Sequence, residues 1–287
     1  MLAAALLTVI DFHNLFAGTV VGFLVSAALV VSVTLPAVQP GPPRGFWSRT
    51  TRGLRLYLAT PRLRGLLAVN LAVAASGAMV IVNTVVIVKV RFGLGEAEVA
   101  WALAAFGFGS MIGALALPRL LERLGDRPVM LWAAAAMVAG TALSALMGSF
   151  AVLWPLWLLI GFGYSAAQTP SGRLLRRSAS EEDRPAIFAA QFALSHACWL
   201  LTYPLAGWLG AALGLGPTFL VMALIGLAGI MLARQVWPGE DRAGIAHDHA
   251  DLPADHPHLR AHGARGQHRH AFMRDDLHPG GPHVLSS

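Results

Sequence analysis

The chain has few charged residues and a single cysteine, and both shortages limit what kind of protein it can be. Charged residues make up 13% of its 287 residues, whereas soluble proteins carry about 25%. A large soluble helical core would need charged outer faces, which the long uncharged runs lack. The single Cys198 excludes an internal disulfide. The arginines lie in alternate loops and not on one face, so no nucleic-acid partner is predicted despite the net charge of +6.

Long uncharged runs are what the chain has instead. Apolar residues make up 56% of it and the mean hydropathy is +0.60. About 20 mainly apolar residues are enough for a helix to cross the hydrocarbon core of a bilayer. The chain is therefore predicted to be all-α: a polytopic membrane helix bundle of about seven full spans, in contact with lipid. The predicted span centres lie near residues 27, 77, 108, 138, 161, 198 and 226.

The distribution of arginine predicts the orientation. Arginines crowd residues 44–64, 119–127 and 173–184, while the intervening connections carry almost none. Because basic residues accumulate in cytoplasmic loops, these three segments and the C-terminus are predicted to face the cytoplasm. The expected location is the cell membrane, with several passes.

The segment at residues 118–127 places five charged residues between two apolar runs. It resembles the loop of the major facilitator superfamily written G-x-x-x-D-R-x-G-R-R. Arg123, Gly125 and Arg127 match that pattern, whereas Pro118, Glu122 and Asp126 depart from it. The resemblance implies a conformational loop between two spans, formed by Glu122, Arg123, Gly125 and Arg127.

Two further segments support the resemblance. Residues 161–177 are similar to the end of the family's tenth helix, and residues 178–191 to the entry into the eleventh. A facilitator has twelve helices in two halves of six, so the resemblance implies helices six to twelve. Residues 1–10 span only about 15 Å and are expected to end a fifth helix that begins upstream. The missing first half would come from upstream sequence or from a second chain.

The resemblance also divides the chain into four parts. Residues 1–39 would be the end of helix five and helix six, and residues 40–64 the cytoplasmic central loop. Residues 65–237 would form the six-helix C-terminal half, and residues 238–287 a disordered tail.

Polar side chains at membrane depth are the candidates for contact with a substrate. No Asp or Glu lies inside a predicted span, so the carboxylates that usually relay protons are expected elsewhere. His196 could relay a proton or hold a metal, or could only hydrogen-bond a neighbouring helix. The candidate pathway residues are His196, Gln191, Ser195, Asn83, Asn70, Gln168 and Tyr203.

The last 49 residues contain nine of the eleven histidines. Their composition cannot bury enough apolar surface to fold alone, which predicts disorder. Imidazole suits zinc, nickel, copper and cobalt, although a solvated low-complexity tail remains the alternative. The candidate metal ligands are His247, His249, His256, His258, His262, His268, His270, His278 and His283.

A bundle with such a tail resembles the nickel- and cobalt-resistance exporters of the superfamily, as do residues 182–204. The resemblance implies export of a divalent transition metal by alternating access, in exchange for protons. One alternative is a multidrug or small-molecule exporter of the same superfamily, and another is a membrane metal sensor that does not transport. No resident cofactor is predicted. An enzyme is not expected, because no nucleophile–base grouping or cofactor fingerprint occurs.

Overall fold

The computed structural model describes residues 12–33, 46–237, 239, 245–247 and 268–270. A π-helix, Val86–Arg91, continues the third helix, and two strands, β1 (Ile245–His247) and β2 (His268–His270), pair antiparallel. The helices are α1 (Phe12–Ser32), α2 (Phe46–Ala59), α3 (Pro61–Val85), α4 (Glu96–Leu124), α5 (Asp126–Ser144), α6 (Phe150–Gln168), α7 (Ser171–Arg177), α8 (Arg184–Leu213) and α9 (Leu215–Val236).

The predicted membrane helix bundle is confirmed. Among the described residues, six helices are long and apolar enough to cross a membrane: Pro61–Arg91, Glu96–Leu124, Asp126–Ser144, Phe150–Arg177, Arg184–Leu213 and Leu215–Val236. The remaining predicted span, centred near residue 27, corresponds to α1. Every side chain of α1 that the structure describes is exposed. The short β-ribbon lies in the tail, where the sequence pattern does not predict a strand.

Glycines allow α4 and α6 to pack with their backbones in contact. A Cβ added to Gly109 would collide with the carbonyl of Leu158, and one added to Gly113 would lie 2.6 Å from the carbonyl oxygen of Phe162. The G-x-x-x-G spacing of these two glycines therefore marks a real helix contact.

The same spacing at Gly210 and Gly214 has a different structural basis. A Cβ on Gly210 would lie 3.2 Å from Oδ1 of Asn83, but Gly214 faces open space. Gly214 forms the turn between α8 and α9 with φ +80°, a conformation that favours glycine.

The predicted loop at residues 118–127 is almost entirely helical. α4 continues to Leu124 because Leu117, Leu120 and Leu121, three and four residues apart, pack on the core. Only Gly125 leaves helical geometry, with φ +76°, before α5 begins at Asp126. The connection between the two spans is thus a one-residue turn.

The predicted central loop, residues 40–64, contains α2. Gly53, Tyr57 and Thr60 are buried at spacings of four and three, which define one packed face. That face lies on α8, where a Cβ on Gly53 would collide with the carbonyl of Ala186. α3 then begins at Pro61, four residues before the predicted boundary.

Contacts among the described residues link α2, α5, α7, α8 and α9 at one end of the bundle, which we call the arginine end. α2 is joined there to the start of α8 by the Arg52–Asp183 ion pair, and the start of α5 is joined to α7 by Asp126. Arg127 donates to the carbonyl oxygen of Arg234 in the last turn of α9. The three arginine-rich segments, which the sequence predicts to face the same side of the membrane, are therefore neighbours in space.

Candidate functional site

The spans differ widely in burial. In its most apolar stretch α3 is 72% buried inside the structure, whereas α4 is 33% and α8 is 22% buried. α8 packs on α3, α2 and α9, and its other side is open among the described residues. Phe192, Leu200 and Trp208 on that side are 65%, 73% and 66% exposed. This open face of α8 combines exposure with polar side chains.

His196 lies on the open face, twelve residues into α8 and so about 18 Å along its axis. Its Nδ1 is 2.7 Å from the backbone carbonyl oxygen of Phe192, and the two ring centroids are 3.9 Å apart. A carbonyl oxygen can only accept, so Nδ1 donates and Nε2 of the neutral ring is an acceptor. His196 is exposed, and no described residue hydrogen-bonds its Nε2.

Four rings follow one another along this side of α8. Phe192, His196, Trp199 and Tyr203 are spaced by four, three and four residues, which places them in a single line. The ring centroids of Trp199 and Tyr203 are 5.0 Å apart. We call these four residues the aromatic stripe. It borders the packed side of α8, because the Trp199 ring lies against Gly77 of α3.

α3 and α8 run in the same direction, and contacts between them advance together along both helices. Trp199 contacts Gly77, and six residues further along α3 the Nδ2 of Asn83 donates to the carbonyl oxygen of Ala206 at 3.4 Å. Asn83 is buried, and its second contact is Met79 Sδ. This predicted pathway residue therefore joins two helices and does not face the open side.

Gln191 and Ser195 are also engaged within the protein. Gln191 Oε1 accepts a hydrogen bond from the phenol of Tyr57, which joins α8 to α2. Tyr57 lies outside the spans and is fully buried, and this burial raises the pKa of its phenol above the ordinary value. Ser195 Oγ donates to the Phe192 carbonyl at 3.0 Å and lies 3.5 Å from Nδ1 of His196.

Two pathway candidates remain, Asn70 and Gln168. Asn70 is buried in α3, and neither its Oδ1 nor its Nδ2 has a partner among the described residues. Gln168 is the last residue of α6, about 27 Å from Phe150 and close to the arginine end. The structure thus groups Tyr203 with His196, places Gln168 near the arginine end, and buries Asn70 in α3 on the same helix face as Gly77, seven residues away.

The four predicted loop residues have different surroundings. Glu122 and Arg123 are exposed and make no ion pair with the described residues. Gly125 provides the turn. Arg127 Nε donates to the carbonyl oxygen of Trp237 at 3.1 Å, next to the last turn of α9. A cation is favourable there, because the C-terminal end of a helix carries partial negative charge.

Asp126 departs from the family pattern, and its carboxylate forms ion pairs that fix the turn in place. Its side chain is 2% exposed. Its Oδ2 accepts from Arg177 at 3.0 Å and its Oδ1 accepts from Nε of Arg173 at 3.1 Å. Both arginines are on α7. One buried carboxylate therefore joins the start of α5 to the helix that follows α6.

The tail histidines fall mostly outside the described residues. This holds for His249, His256, His258, His262, His278 and His283. The backbone pairing of β1 with β2 sets His247 directly opposite His268, with His270 two residues further along β2. Among the described residues, no group of three His, Cys, Asp or Glu is placed to hold a metal ion.

Comparison with known proteins assigns the family. Residues 66–249, more than half of the chain, match the Major Facilitator Superfamily. The chain belongs to this superfamily.

The superfamily is one of membrane transporters, which is the class that the loop at residues 118–127 predicts. A curated relative, the Multidrug efflux pump Tap of Mycolicibacterium fortuitum, is 28% identical over 187 residues. The match covers 63% of this chain and 45% of that pump. The chain thus spans less than half the length of this facilitator relative.

Sequence reasoning missed three contacts of this facilitator chain. One is the carboxylate of Asp126, for which Arg173 and Arg177, four residues apart on one helix face, could have indicated an acidic partner. Another is the Arg52–Asp183 pair, which no local pattern predicts. The third is the hydrogen bond of 2.9 Å from Trp157 Nε1 to Thr84 Oγ1, which satisfies a fully buried indole.

Proposed function

We propose that this chain forms one half of an exporter of small organic molecules in the cell membrane. Its arginine end would face the cytoplasm, in keeping with the positive-inside rule. The second half would come from upstream sequence or another chain, since the match covers 45% of the related pump. Transport would follow alternating access between the two halves.

The open face of α8 supports this proposal. Exposing an imidazole to lipid inside the bilayer costs free energy. Such side chains therefore face the bundle interior or a water-filled cavity. His196 is exposed there, and its Nε2 has no hydrogen-bond partner among the described residues. The face around it is otherwise apolar and aromatic, a surface that suits an organic cargo. A coupling proton would be carried by the other half, since the interiors of these spans hold no carboxylate.

The proposal is tested by accumulation measurements in living cells. Deleting the gene should raise the steady-state level of fluorescent organic compounds, and restoring the wild-type gene should lower it again. Restoring the gene with His196→Ala should leave the level high, while Trp132→Ala, which removes an exposed ring on α5 away from this face, should behave like wild type. Unchanged accumulation of every compound tested would refute organic export.

A metal-related function is the second candidate, and the register of the tail ribbon favours it. His247 and His268 are paired in the backbone register of the two strands, and imidazole suits zinc, nickel, copper and cobalt. The function would be metal export or metal sensing through the tail. Nickel, cobalt and zinc accumulation in the same deletion strain separates these cases. A change in metal level that disappears when residues 239–287 are removed would favour the tail; no change would exclude metal export.

A further inference from the structure

Four aliphatic side chains form a continuous exposed row along α9. Leu220, Leu224, Leu227 and Met231 are spaced by four, three and four residues, which places them on one face of the helix. They are 51%, 64%, 46% and 51% exposed. We call these four residues the aliphatic row. Polar side chains inside a membrane face the protein interior or a water-filled cavity, so a row without any polar group is suited to contact with lipid.

The length of the aliphatic row matches the depth of one leaflet. Leu220 and Met231 are eleven residues apart, about 16 Å along the helix axis, and half of the hydrocarbon core is about 15 Å thick. Arg234 continues the row three residues beyond Met231 and is exposed in the last turn of α9. The row therefore leads from mid-bilayer depth to a cation, which is the arrangement of an acyl chain below its phosphate.

Two further arginines lie beside the end of the row. Arg127, at the start of α5, donates from Nε to the carbonyl oxygen of Trp237 at 3.1 Å and from a terminal nitrogen to that of Arg234 at 3.4 Å. Arg64 is exposed and directly precedes Gly65, where an added Cβ would lie 2.7 Å from Cβ of Trp237. We call Arg64, Arg127 and Arg234 the arginine triad.

The arginine triad has no carboxylate partner among the described residues. The buried acids of the arginine end are paired elsewhere, Asp126 with Arg173 and Arg177, and Asp183 with Arg52. Unpaired basic side chains at the membrane surface attract anionic phospholipids. A zwitterionic phospholipid gains less there, because its ammonium group meets three cations.

We infer that the arginine triad and the aliphatic row together bind one anionic phospholipid in the leaflet at the arginine end. The phosphate is held by Arg234 and Arg64, and one acyl chain lies along the aliphatic row. Arg127 adds positive charge and holds the end of α9 through its two carbonyl contacts. The lipid thereby bridges α3 and α9, whichever cargo the transporter carries.

Lipid titration of the purified full chain tests the inference. Native mass spectrometry in a neutral detergent counts bound lipids, with phosphatidylglycerol as the anionic probe and phosphatidylcholine as the zwitterionic one. The first phosphatidylglycerol should bind at least about fivefold more tightly than the first phosphatidylcholine. Glycerophosphoglycerol, the same headgroup without acyl chains, should compete on the order of 100-fold more weakly, because it cannot use the aliphatic row.

The triad is tested by single substitutions. Arg234→Gln and Arg64→Gln should each weaken phosphatidylglycerol binding about fivefold and leave phosphatidylcholine binding within about twofold of wild type. The retained phosphatidylcholine binding also shows that the variants are folded. Arg234→Lys keeps the charge and should recover most of the affinity, since lysine also binds phosphate.

Arg119→Gln is the matched control. It removes an exposed arginine at the same end of the bundle, on α4, which packs mainly on α6. Phosphatidylglycerol binding should change by less than about twofold, because a distant exposed charge is screened.

Three results would overturn the inference. They are equal affinities for the two lipids, equal losses from Arg234→Gln and Arg119→Gln, and competition by glycerophosphoglycerol as strong as that by the intact lipid. None of these measurements requires transport. A failure here therefore counts against the lipid site alone, whereas unchanged accumulation of organic compounds in the deletion strain counts against the proposed exporter alone.

Discussion

Arg52 and Asp183 form a bidentate ion pair, although 131 residues separate them along the chain. Nε of Arg52 lies 2.5 Å from Oδ1, and a terminal guanidinium nitrogen lies 2.9 Å from Oδ2. Asp183 immediately precedes α8 and is buried. The pair therefore attaches α2, which lies outside the membrane spans, to the start of the helix that carries the aromatic stripe. Tyr57 and Gln191 attach the same two helices two turns further along.

Arg52→Lys should loosen this attachment. Lysine cannot reproduce the two parallel donors of a guanidinium, and charge-assisted hydrogen bonds contribute about 1.5–3 kcal/mol each. We expect a loss of about 1–2 kcal/mol in the free energy of unfolding, measured by denaturant titration of the purified chain in detergent. Arg64→Lys, at an exposed position, is the control. Equal stabilities of the two variants would show that the pair does not hold α2.

Asp126→Asn tests the carboxylate of the one-residue turn. The change leaves Arg173 and Arg177 without their anion, but both arginines are partly exposed and can reach water, so we expect a loss of about 1–2 kcal/mol and not the full cost of an orphaned buried charge. Glu122→Gln, an exposed acid of the same segment, should change stability by less than about 0.5 kcal/mol. Comparable losses from both would contradict a specific role for Asp126.

Gly109→Ala and Gly107→Ala form a matched pair on α4. A methyl group at position 109 would meet the Leu158 backbone, which cannot move aside, whereas position 107 has open space. We expect Gly109→Ala to destabilise the bundle by about 1–3 kcal/mol, and Gly107→Ala to stabilise it slightly through helix propensity. Thermal unfolding in detergent provides the comparison, and a harmless Gly109→Ala would mean that α4 and α6 are not in backbone contact.

Tyr57→Phe should alter the response to alkaline pH. Burial raises the folded-state pKa of the phenol above 10.0, its ordinary value. Above that pH the unfolded chain releases a proton that the folded chain retains, so this contribution is intact below pH 10.0 and is lost as pH rises. Measured between pH 9 and 11, wild type should lose about 1.4 kcal/mol more in total than Tyr57→Phe, most of it above pH 10.0. If the free energies of unfolding of wild type and Tyr57→Phe fell in parallel over this pH range, Tyr57 would be exposed to water and not buried.

The spans could be predicted from sequence because length and hydropathy are local properties. A charge-free run such as residues 65–88 must be buried in lipid or protein, whatever its neighbours do. The grouping of arginines followed from their alternation along the chain, and Gly109 and Gly113 from a spacing that needs no partner to be recognised.

Pairings between distant residues could not be predicted in the same way. Asp126 interrupts a family pattern, and its two partners lie 47 and 51 residues away. Asn83 and Gln191 are polar residues at membrane depth, as a substrate site requires, but helix packing turned them towards Ala206 and Tyr57. A single sequence contains the residue types and not the rotation of each helix, which decides whether an amide faces a neighbour or the pathway.

The contact between Gly65 and Trp237 bears on how such a chain can be connected. A Cβ on Gly65 would lie 2.7 Å from Cβ of Trp237, so the first span begins where the last one ends. The two termini of the six-span unit are therefore adjacent. A gene fusion could attach another domain through either terminus without re-routing the chain, and a circular permutant that links residue 237 to residue 65 and opens at Gly148 should retain the same packing.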